Sequence, residues 1–292
     1  MKYYRRLPKF EYLAPKSIGE ACSLLQEKDG NAKVMAGGTI LLARWKERIG
    51  VSQYLISINK VPNLDYIEFD EGIGLRIGAL ATHRLISDFP LIREKFEPLA
   101  TACSFLGSPQ MRNMGTIGGN LCCRFPSAET IPPLIALGAK VKVVKTDRER
   151  IIPVESLSSE FLKKDEILTE VQIPILSSGS GGAYLKYTIR KALDDPTVSV
   201  SVIVVLDDNK KCRDIKIVLG AVGPFPFRSR KAEEIVKGNP FSEDLITSAT
   251  QAAWEEARPT SDIYFSADYK KKLIRVLTER AIREAWEKAK II

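Results

Sequence analysis

The sequence predicts an α+β protein in three parts, with boundaries at residues 1–58, 59–176 and 177–292. Short strand-like and helix-like patterns alternate in the first part, and a hairpin signal marks the second. In the third part a Ser/Gly-rich stretch comes first, three strand patterns follow, and helical patterns run to the end. A chain of 292 residues is long enough to bury a substantial core.

The first part is predicted to be a compact β-α-β-like unit. Ser17 and Glu20 have the spacing of a capping box, which predicts the start of a helix. A buried strand at 33–36, a helix at 40–46 and a second strand at 54–58 are predicted to follow.

In the second part, strand patterns at 66–69 and 74–77 flank a turn and predict a hairpin. Helical patterns with two proline breaks fill 82–106, and Pro132-Pro133 is compatible with the first turn of a further helix. Three more strands are predicted at 140–144, 151–154 and 167–173.

The third part begins at 177–182, a stretch of Ser and Gly that is predicted to be a linker. Strands are predicted at 183–190, 198–206 and 215–222, and the remainder is predicted to be helical. The last helix carries an apolar stripe that is predicted to face the core: Leu273, Val276, Leu277, Ala281, Ile282, Ala285, Trp286 and Ala289.

Composition excludes several classes of function. The net charge is +8, but basic and acidic residues are mixed along the chain, which argues against a nucleic-acid-binding surface. No apolar run approaches the roughly 18 residues of a membrane span, and no apolar segment follows the basic N-terminus, so a cytoplasmic location is expected. Five cysteines, an odd number, indicate no disulfide framework. The sequence has one histidine, His83, which argues against a Ser-His-Asp triad and against a His-rich metal site; it is predicted to be a surface or capping residue at the start of a helix.

Two glycine pairs are the strongest indication of function. Ala36-Gly37-Gly38-Thr39 and Thr116-Ile117-Gly118-Gly119-Asn120 each follow a short apolar stretch. Because glycine has no β-carbon, such loops let backbone N–H groups approach an anion closely, and two of them together can hold a pyrophosphate. The alternative is that both are ordinary tight turns. Neither matches the Rossmann or the P-loop pattern.

These residues also carry a resemblance to a known family. The 34–39 segment, followed by Leu41-Leu42, resembles the first FAD loop of the flavoprotein subunits of molybdenum hydroxylases, and 112–120 resembles the second. The 12–17 segment and the C-terminal part are also similar to that family, so the resemblance covers nearly the whole chain. It implies a two-part FAD-binding region of the PCMH/vanillyl-alcohol-oxidase type, followed by a three-stranded antiparallel sheet with helices.

The resemblance implies which residues contact FAD. The first loop is expected to wrap the pyrophosphate with Val34, Met35, Ala36, Gly37, Gly38, Thr39, Ile40 and Leu41. The second is expected to hold its other side through backbone N–H groups and side chains of Thr116, Ile117, Gly118, Gly119 and Asn120. Further contacts are expected from Leu106, Glu129, Leu168 and Lys186, of which Lys186 matches a lysine near the flavin ring that favours the anionic reduced flavin. No catalytic acid or base and no metal ligand is predicted.

Two features depart from the family's pattern. Asp195 precedes Pro196 where relatives often carry an aromatic residue, which leaves the electron acceptor open. Asn113-Met114 and Leu121-Cys122 resemble the flavin subunit of 4-hydroxybenzoyl-CoA reductase, which carries an extra loop whose cysteines bind a [4Fe-4S] cluster. This chain has the neighbouring cysteines Cys122-Cys123 but no such loop between Cys123 and Glu129. The pair is therefore interpreted as two half-buried thiols, with a redox-active or cluster-bound pair as the alternative.

The function implied is that of an FAD-carrying electron-transfer subunit. Its partners would be a small [2Fe-2S] subunit and a large molybdopterin subunit, in a dimer of heterotrimers. Two alternatives remain open at this point: a stand-alone FAD-dependent oxidoreductase of the same superfamily, and a flavin-free assembly subunit. The single histidine and the lack of an evident acid/base pair count against the stand-alone enzyme.

Overall fold

The structure, a computed structural model, describes residues 6–159, 162–190 and 193–291. The chain divides into two compact units, each assembled from three separate stretches. The first unit comprises Met1–Leu85, Pro109–Cys123 and Lys140–Ile173, and the second comprises Ile86–Ser108, Arg124–Ala139 and Pro174–Ile292. The division into three parts that the sequence suggested stays a prediction.

The N-terminal elements of the first unit are β1 (Glu11–Leu13), α1 (Ile18–Glu27), β2 (Ala32–Met35), α2 (Leu41–Lys46) and β3 (Tyr54–Ser57). Their strands form a parallel sheet in the order β1-β3-β2. The predicted capping box is present in a modified form. The Ser17 hydroxyl accepts the Glu20 amide at 3.1 Å, while the Glu20 carboxylate accepts the amide of Lys16 at 2.7 Å.

The middle of the chain contributes to both units. Its elements are β4 (Ile67–Asp70), β5 (Gly74–Gly78), α3 (His83–Asp88), α4 (Pro90–Lys95), α5 (Glu97–Phe105), α6 (Pro109–Met114), α7 (Ile117–Cys122), α8 (Ile131–Ala136), β6 (Lys140–Val144), β7 (Glu149–Pro153) and β8 (Ile167–Ile173). The five strands form an antiparallel sheet of the first unit in the order β4-β5-β8-β6-β7. The predicted hairpin and the two proline breaks between helices are confirmed.

The C-terminal elements are β9 (Ser180–Tyr187), β10 (Val198–Leu206), β11 (Cys212–Gly220), β12 (Phe227–Arg228), α9 (Arg230–Val236), α10 (Glu243–Glu256) and α11 (Ala267–Ile291). The sheet is antiparallel in the order β12-β11-β10-β9, so the prediction of three strands is one strand short. The missed strand has two residues, too few to show a pattern. The apolar stripe of α11 packs in the core, except for Val276, which is 42% exposed.

The predicted linker at 177–182 is wrong at its C-terminal end, because β9 already begins at Ser180. Glycine occurs there because α11 packs directly on the strand. A β-carbon at Gly181 would lie 2.1 Å from the Ala285 carbonyl oxygen and 2.3 Å from the Ala289 amide nitrogen. Close packing, and not flexibility, explains this glycine.

Within the residues that the structure describes, every helix is too short or too polar to cross a bilayer.

Gly181→Ala tests the packing of α11 on β9. Because its methyl group would collide with helix backbone, which cannot rotate away, we expect the free energy of unfolding to fall by at least about 3 kcal/mol. Denaturant unfolding measures this. Gly19→Ala is the matched control, since that exposed helical position has only the Ser17 hydroxyl at 3.9 Å, and it should be neutral or stabilising by up to about 1 kcal/mol. Equal stability of the two variants would contradict this account.

Candidate functional site

The first unit brings the two glycine loops into contact. A β-carbon at Gly37 would lie 1.9 Å from the carbonyl oxygen of Met114, and one at Gly119 would lie 4.0 Å from the β-carbon of Ala36. The first loop follows β2. In the second, only Gly115 and Thr116 connect α6 to α7, and Ile117, Gly118, Gly119 and Asn120 form the first turn of α7. The two segments meet although about eighty residues separate them in the sequence. Only glycine at position 37 permits this approach.

The first loop presents a row of unused hydrogen-bond donors. Among the described residues, no atom accepts the amide N–H of Gly37, Gly38, Thr39, Ile40 or Leu41. The first α-helical bond of this region comes later, from the amide of Leu42 to Gly38 at 3.1 Å. All five residues are half-buried, and Gly38 has a φ of +71°. Five successive amides without a protein acceptor are donors available to an anion.

The amides of the second loop are arranged differently. Ile117 donates to Ala81 at 3.0 Å and Gly118 donates to Ala79 at 3.0 Å, while Gly119 donates to the capping hydroxyl of Thr116 at 3.2 Å. These amides are therefore already satisfied by the protein. Thr116 pairs with Thr82 in an isolated bridge, and within the described chain its own amide has no acceptor. Asn120 is buried behind the loop.

A cavity of about 480 Å³ lies beside both loops in the first unit. Gly37, Met114 and Thr116 line it from the loops. The other lining residues were not singled out from the sequence: Asn59, Lys60, Val61, Pro62, Asp65, Leu80 and Thr82. Most of these follow β3. The carboxyl ends of neighbouring parallel strands meet at one edge of a sheet, so the pairing of β2 with β3 was the signal that could have found them.

Leu168, another predicted contact, lies in β8 of the same unit. It is buried opposite Val143, next to an irregularity in the β6–β8 pairing. Helix α7, which begins in the second glycine loop, packs against β8. Leu168 therefore belongs to the scaffold on which that loop rests.

His83 is buried, so the prediction of a surface residue is wrong, although it does begin a helix as expected. Its amide donates to the Gly115 carbonyl at 3.0 Å, which places it beneath the second loop. Burial, with a smaller contribution from the positive charge of Arg112, lowers the pKa of the imidazole to about 4. The ring is neutral near pH 7.

In the second unit the structure brings together three of the predicted site positions. The Lys186 ammonium forms an ion pair with Glu129 and donates at 3.0 Å to the carbonyl of Phe105, the last residue of α5, which Leu106 follows directly. It also lies 5.7 Å from the centre of the Phe105 ring. The side chains of Lys186 and Glu129 are 10% and 5% exposed, so this is a buried ion pair and not a surface contact.

The two departures from the family pattern are both accessible. Cys122 is exposed and Cys123 half-buried, and the Cys123 thiol donates to the Asn120 carbonyl at 2.9 Å. Asp195 is exposed and lines a second cavity, of about 500 Å³, together with Ile189, Leu193 and Tyr264 of the second unit.

Comparisons with known proteins match two successive segments of the chain to two family models. Residues 8–176 match the family described as the FAD binding domain in molybdopterin dehydrogenase, and residues 183–285 match the CO dehydrogenase flavoprotein C-terminal domain. The chain is 31% identical to the carbon monoxide dehydrogenase medium chain of Hydrogenophaga pseudoflava over 96% of this chain and 98% of that protein. It is 31% identical to the nicotinate dehydrogenase FAD-subunit of Eubacterium barkeri, over 91% and 92%. The chain belongs to the FAD-binding subunits of the molybdenum hydroxylase family.

A solved structure agrees with this assignment. Carbon monoxide dehydrogenase from Hydrogenophaga pseudoflava, in a form that lacks the Mo-pyranopterin moiety, matches with a TM-score of 0.92 and 31% identity, over 97% of this chain and 99% of that one. The resemblance stated from the sequence is confirmed, and so is FAD as the cofactor of this oxidoreductase subunit. The unused amides of the first loop fit an FAD pyrophosphate, because they are donors in need of an anionic acceptor.

The buried imidazole of this FAD-binding subunit predicts acid sensitivity. Since the pKa is about 4 in the folded chain and ordinarily 6.5, the unfolded chain binds the proton more tightly. The contribution of the neutral imidazole to the free energy of unfolding is therefore fully present above about pH 6.5. The free energy of unfolding falls by up to about 3 kcal/mol as the pH drops to about 4. His83→Gln should reduce this loss in denaturant unfolding. Because His83 is the only histidine, its imidazole NMR signal can be assigned directly. That signal should not titrate between about pH 5.5 and 8, and titration near pH 6.5 would contradict burial.

The Lys186–Glu129 pair gives a second prediction. Glu129→Ala leaves a buried ammonium without its carboxylate, so we expect unfolding free energy to fall by about 3 kcal/mol or more. Adding Lys186→Met removes that charge and should restore at least half of the loss. Denaturant unfolding of the two single variants and the double variant measures the coupling. Additive effects would show that the pair does not interact.

Proposed function

We propose that this chain is the electron-transfer flavoprotein of a molybdenum hydroxylase complex. In this proposal a large molybdopterin subunit oxidises the substrate, a small subunit carries [2Fe-2S] clusters, and this chain passes the electrons on to an external acceptor. The medium-chain name of its relative supports an assembly of this kind. A dimer of heterotrimers and a cytoplasmic location belong to the same proposal.

Family membership supports the complex, and the structural observation that supports FAD binding by this chain is the row of five unused amides in the first loop. A pyrophosphate with two negative charges would satisfy them through charge-assisted hydrogen bonds, which are stronger than neutral ones. From the second loop, the Thr116 amide is the available donor. We therefore assign the main pyrophosphate contacts to 37–41 and Thr116. Ile117, Gly118 and Gly119 hold the loop in shape, and Asn120 contributes through its side chain.

The remaining predicted FAD contacts are assigned other roles than binding the pyrophosphate. Val34, Met35 and Ala36 lead into the first loop, and Leu106 and Leu168 offer apolar surface to the cofactor. Lys186 supplies a cation beside the flavin ring, but its ion pair with Glu129 offsets much of that charge. The pair fixes the position of the ammonium and moderates its effect on the flavin potential.

The chemistry comes from the cofactor. When bound, FAD accepts electrons singly or in pairs and releases them in either way, which connects one-electron clusters to varied acceptors. The residues of this chain bind it, orient it and set its electrostatic surroundings. Asp195 is exposed and lines the second cavity. We assign the selection of the electron acceptor to this region.

A reconstitution experiment tests the electron-transfer role. The FAD-loaded chain is mixed anaerobically with the proposed small subunit, its [2Fe-2S] clusters reduced, and the visible flavin absorbance is followed. We expect rapid bleaching with the partner and none when the complex's substrate is added to this chain alone. Oxidation of that substrate by the isolated chain would favour the stand-alone enzyme instead.

Thr39→Asp tests the anion site in the first loop. A carboxylate there repels the pyrophosphate by about 2–4 kcal/mol at separations of a few ångströms, so we expect the FAD dissociation constant to rise about 100-fold. Thr39→Asn is the matched control, because asparagine has the shape of aspartate without its charge. Its FAD dissociation constant should remain within about tenfold of the wild-type value. Fluorescence titration of the apo-chain with FAD measures both. Equal affinities would remove the pyrophosphate from this loop.

A further inference from the structure

The second glycine loop is held by a short segment, residues 79–83, that follows β5. Three hydrogen bonds join them: Gly118 to Ala79 at 3.0 Å, Ile117 to Ala81 at 3.0 Å, and His83 to Gly115 at 3.0 Å. The segment is itself fixed to the five-stranded sheet, since the Ala79 amide donates to Thr169 at 2.9 Å. Residues 115–118 of the loop are thus fixed relative to the five-stranded sheet by backbone hydrogen bonds through residues 79–83.

One side chain of this segment reaches the turn of the loop. A β-carbon built on Gly115 would lie 3.1 Å from Cδ2 and 3.5 Å from Nε2 of the His83 ring. The outer edge of the imidazole therefore lies against the α-carbon of Gly115. The Met111 carbonyl oxygen lies near the same position, 2.9 Å from that β-carbon, and accepts the Gly115 amide at 2.6 Å, so α6 and the ring both pack against residue 115.

Gly115 stands between the two groups that face the first loop. Its predecessor, Met114, directs a carbonyl oxygen to the α-carbon of Gly37, and its successor, Thr116, has the amide without an acceptor in the described chain. A rotation of the backbone at Gly115 would move both groups. The backbone bonds of Gly115 to Met111 and to His83 restrain this rotation, and the His83 ring restrains it further, because a glycine has no side chain of its own to pack there.

We propose that His83 is a positioning residue for FAD. Its ring holds Gly115 in the one conformation that sets the Met114 carbonyl against Gly37 and leaves the Thr116 amide directed to the cavity. His83 acts through Gly115 and does not touch the cofactor. This inference rests on the proposed placement of the pyrophosphate at the two loops. The neutral state of the buried ring is consistent with packing against a backbone carbon.

Three variants test the proposal in the full chain. His83→Ala removes the ring, and His83→Gln retains a planar group in the region of Cδ2 and Nε2. Leu157→Ala, at a fully buried side chain that follows the opposite edge strand β7, is the control for general destabilisation of the same unit. For each, the FAD dissociation constant is measured by fluorescence titration, and the phosphorus NMR signals of bound FAD are recorded.

We expect His83→Ala to raise the dissociation constant at least tenfold and to shift the phosphorus signals, while His83→Gln stays within threefold of the wild type. Leu157→Ala should lower the melting temperature with an unchanged dissociation constant. Affinity within twofold of the wild type for His83→Ala, or equal weakening in all three variants, would overturn the proposal. Unchanged affinity in Thr39→Asp would instead refute the underlying placement of FAD, so the two failures are distinguishable.

Discussion

The close approach of the Met114 carbonyl to Gly37 is the constraint on which the rest of the site depends. The oxygen occupies the space that a β-carbon of residue 37 would need, 1.9 Å away. It is this contact that brings the end of β2 to the α6–α7 connection and forms the wall of the neighbouring cavity. Any other residue at 37 would separate the loops before its effect on a ligand mattered. The first glycine of the pair thus serves the protein's own packing.

The two loops have opposite roles because their amides have different partners. The second loop is bonded to residues 79–81 and to its own capping threonine, so its shape is settled by the protein. In the first loop five amides have no acceptor in the described chain. Because these residues are only half-buried, water can accept their hydrogen bonds until an anion replaces it. A rigid wall opposite a row of donors is a preorganised arrangement, in which little ordering cost remains when the cofactor binds.

Much of this molecule can be predicted from local signals. The cap at Ser17, the β4–β5 hairpin, the breaks in the helices of the middle region and the core face of α11 follow from residue types at fixed spacing. Long-range contacts decide the rest. From the sequence, Gly181 is predicted to lie in a linker, but in the structure α11 packs directly on it. His83 is predicted to be exposed, but the second loop covers it. Which of two similar glycine loops keeps free donors depends on residues 79–81, which lie nearly forty positions before the second loop.

Hydrogen–deuterium exchange with and without FAD tests the central claim most directly. Amides 37–41 should exchange rapidly in the apo-chain and become strongly protected when FAD binds, because the pyrophosphate supplies the acceptors they lack. Amides 117–119 should be protected in both states, since their acceptors belong to the protein. Protection that appeared on FAD binding at 117–119, with no change at 37–41, would contradict the account.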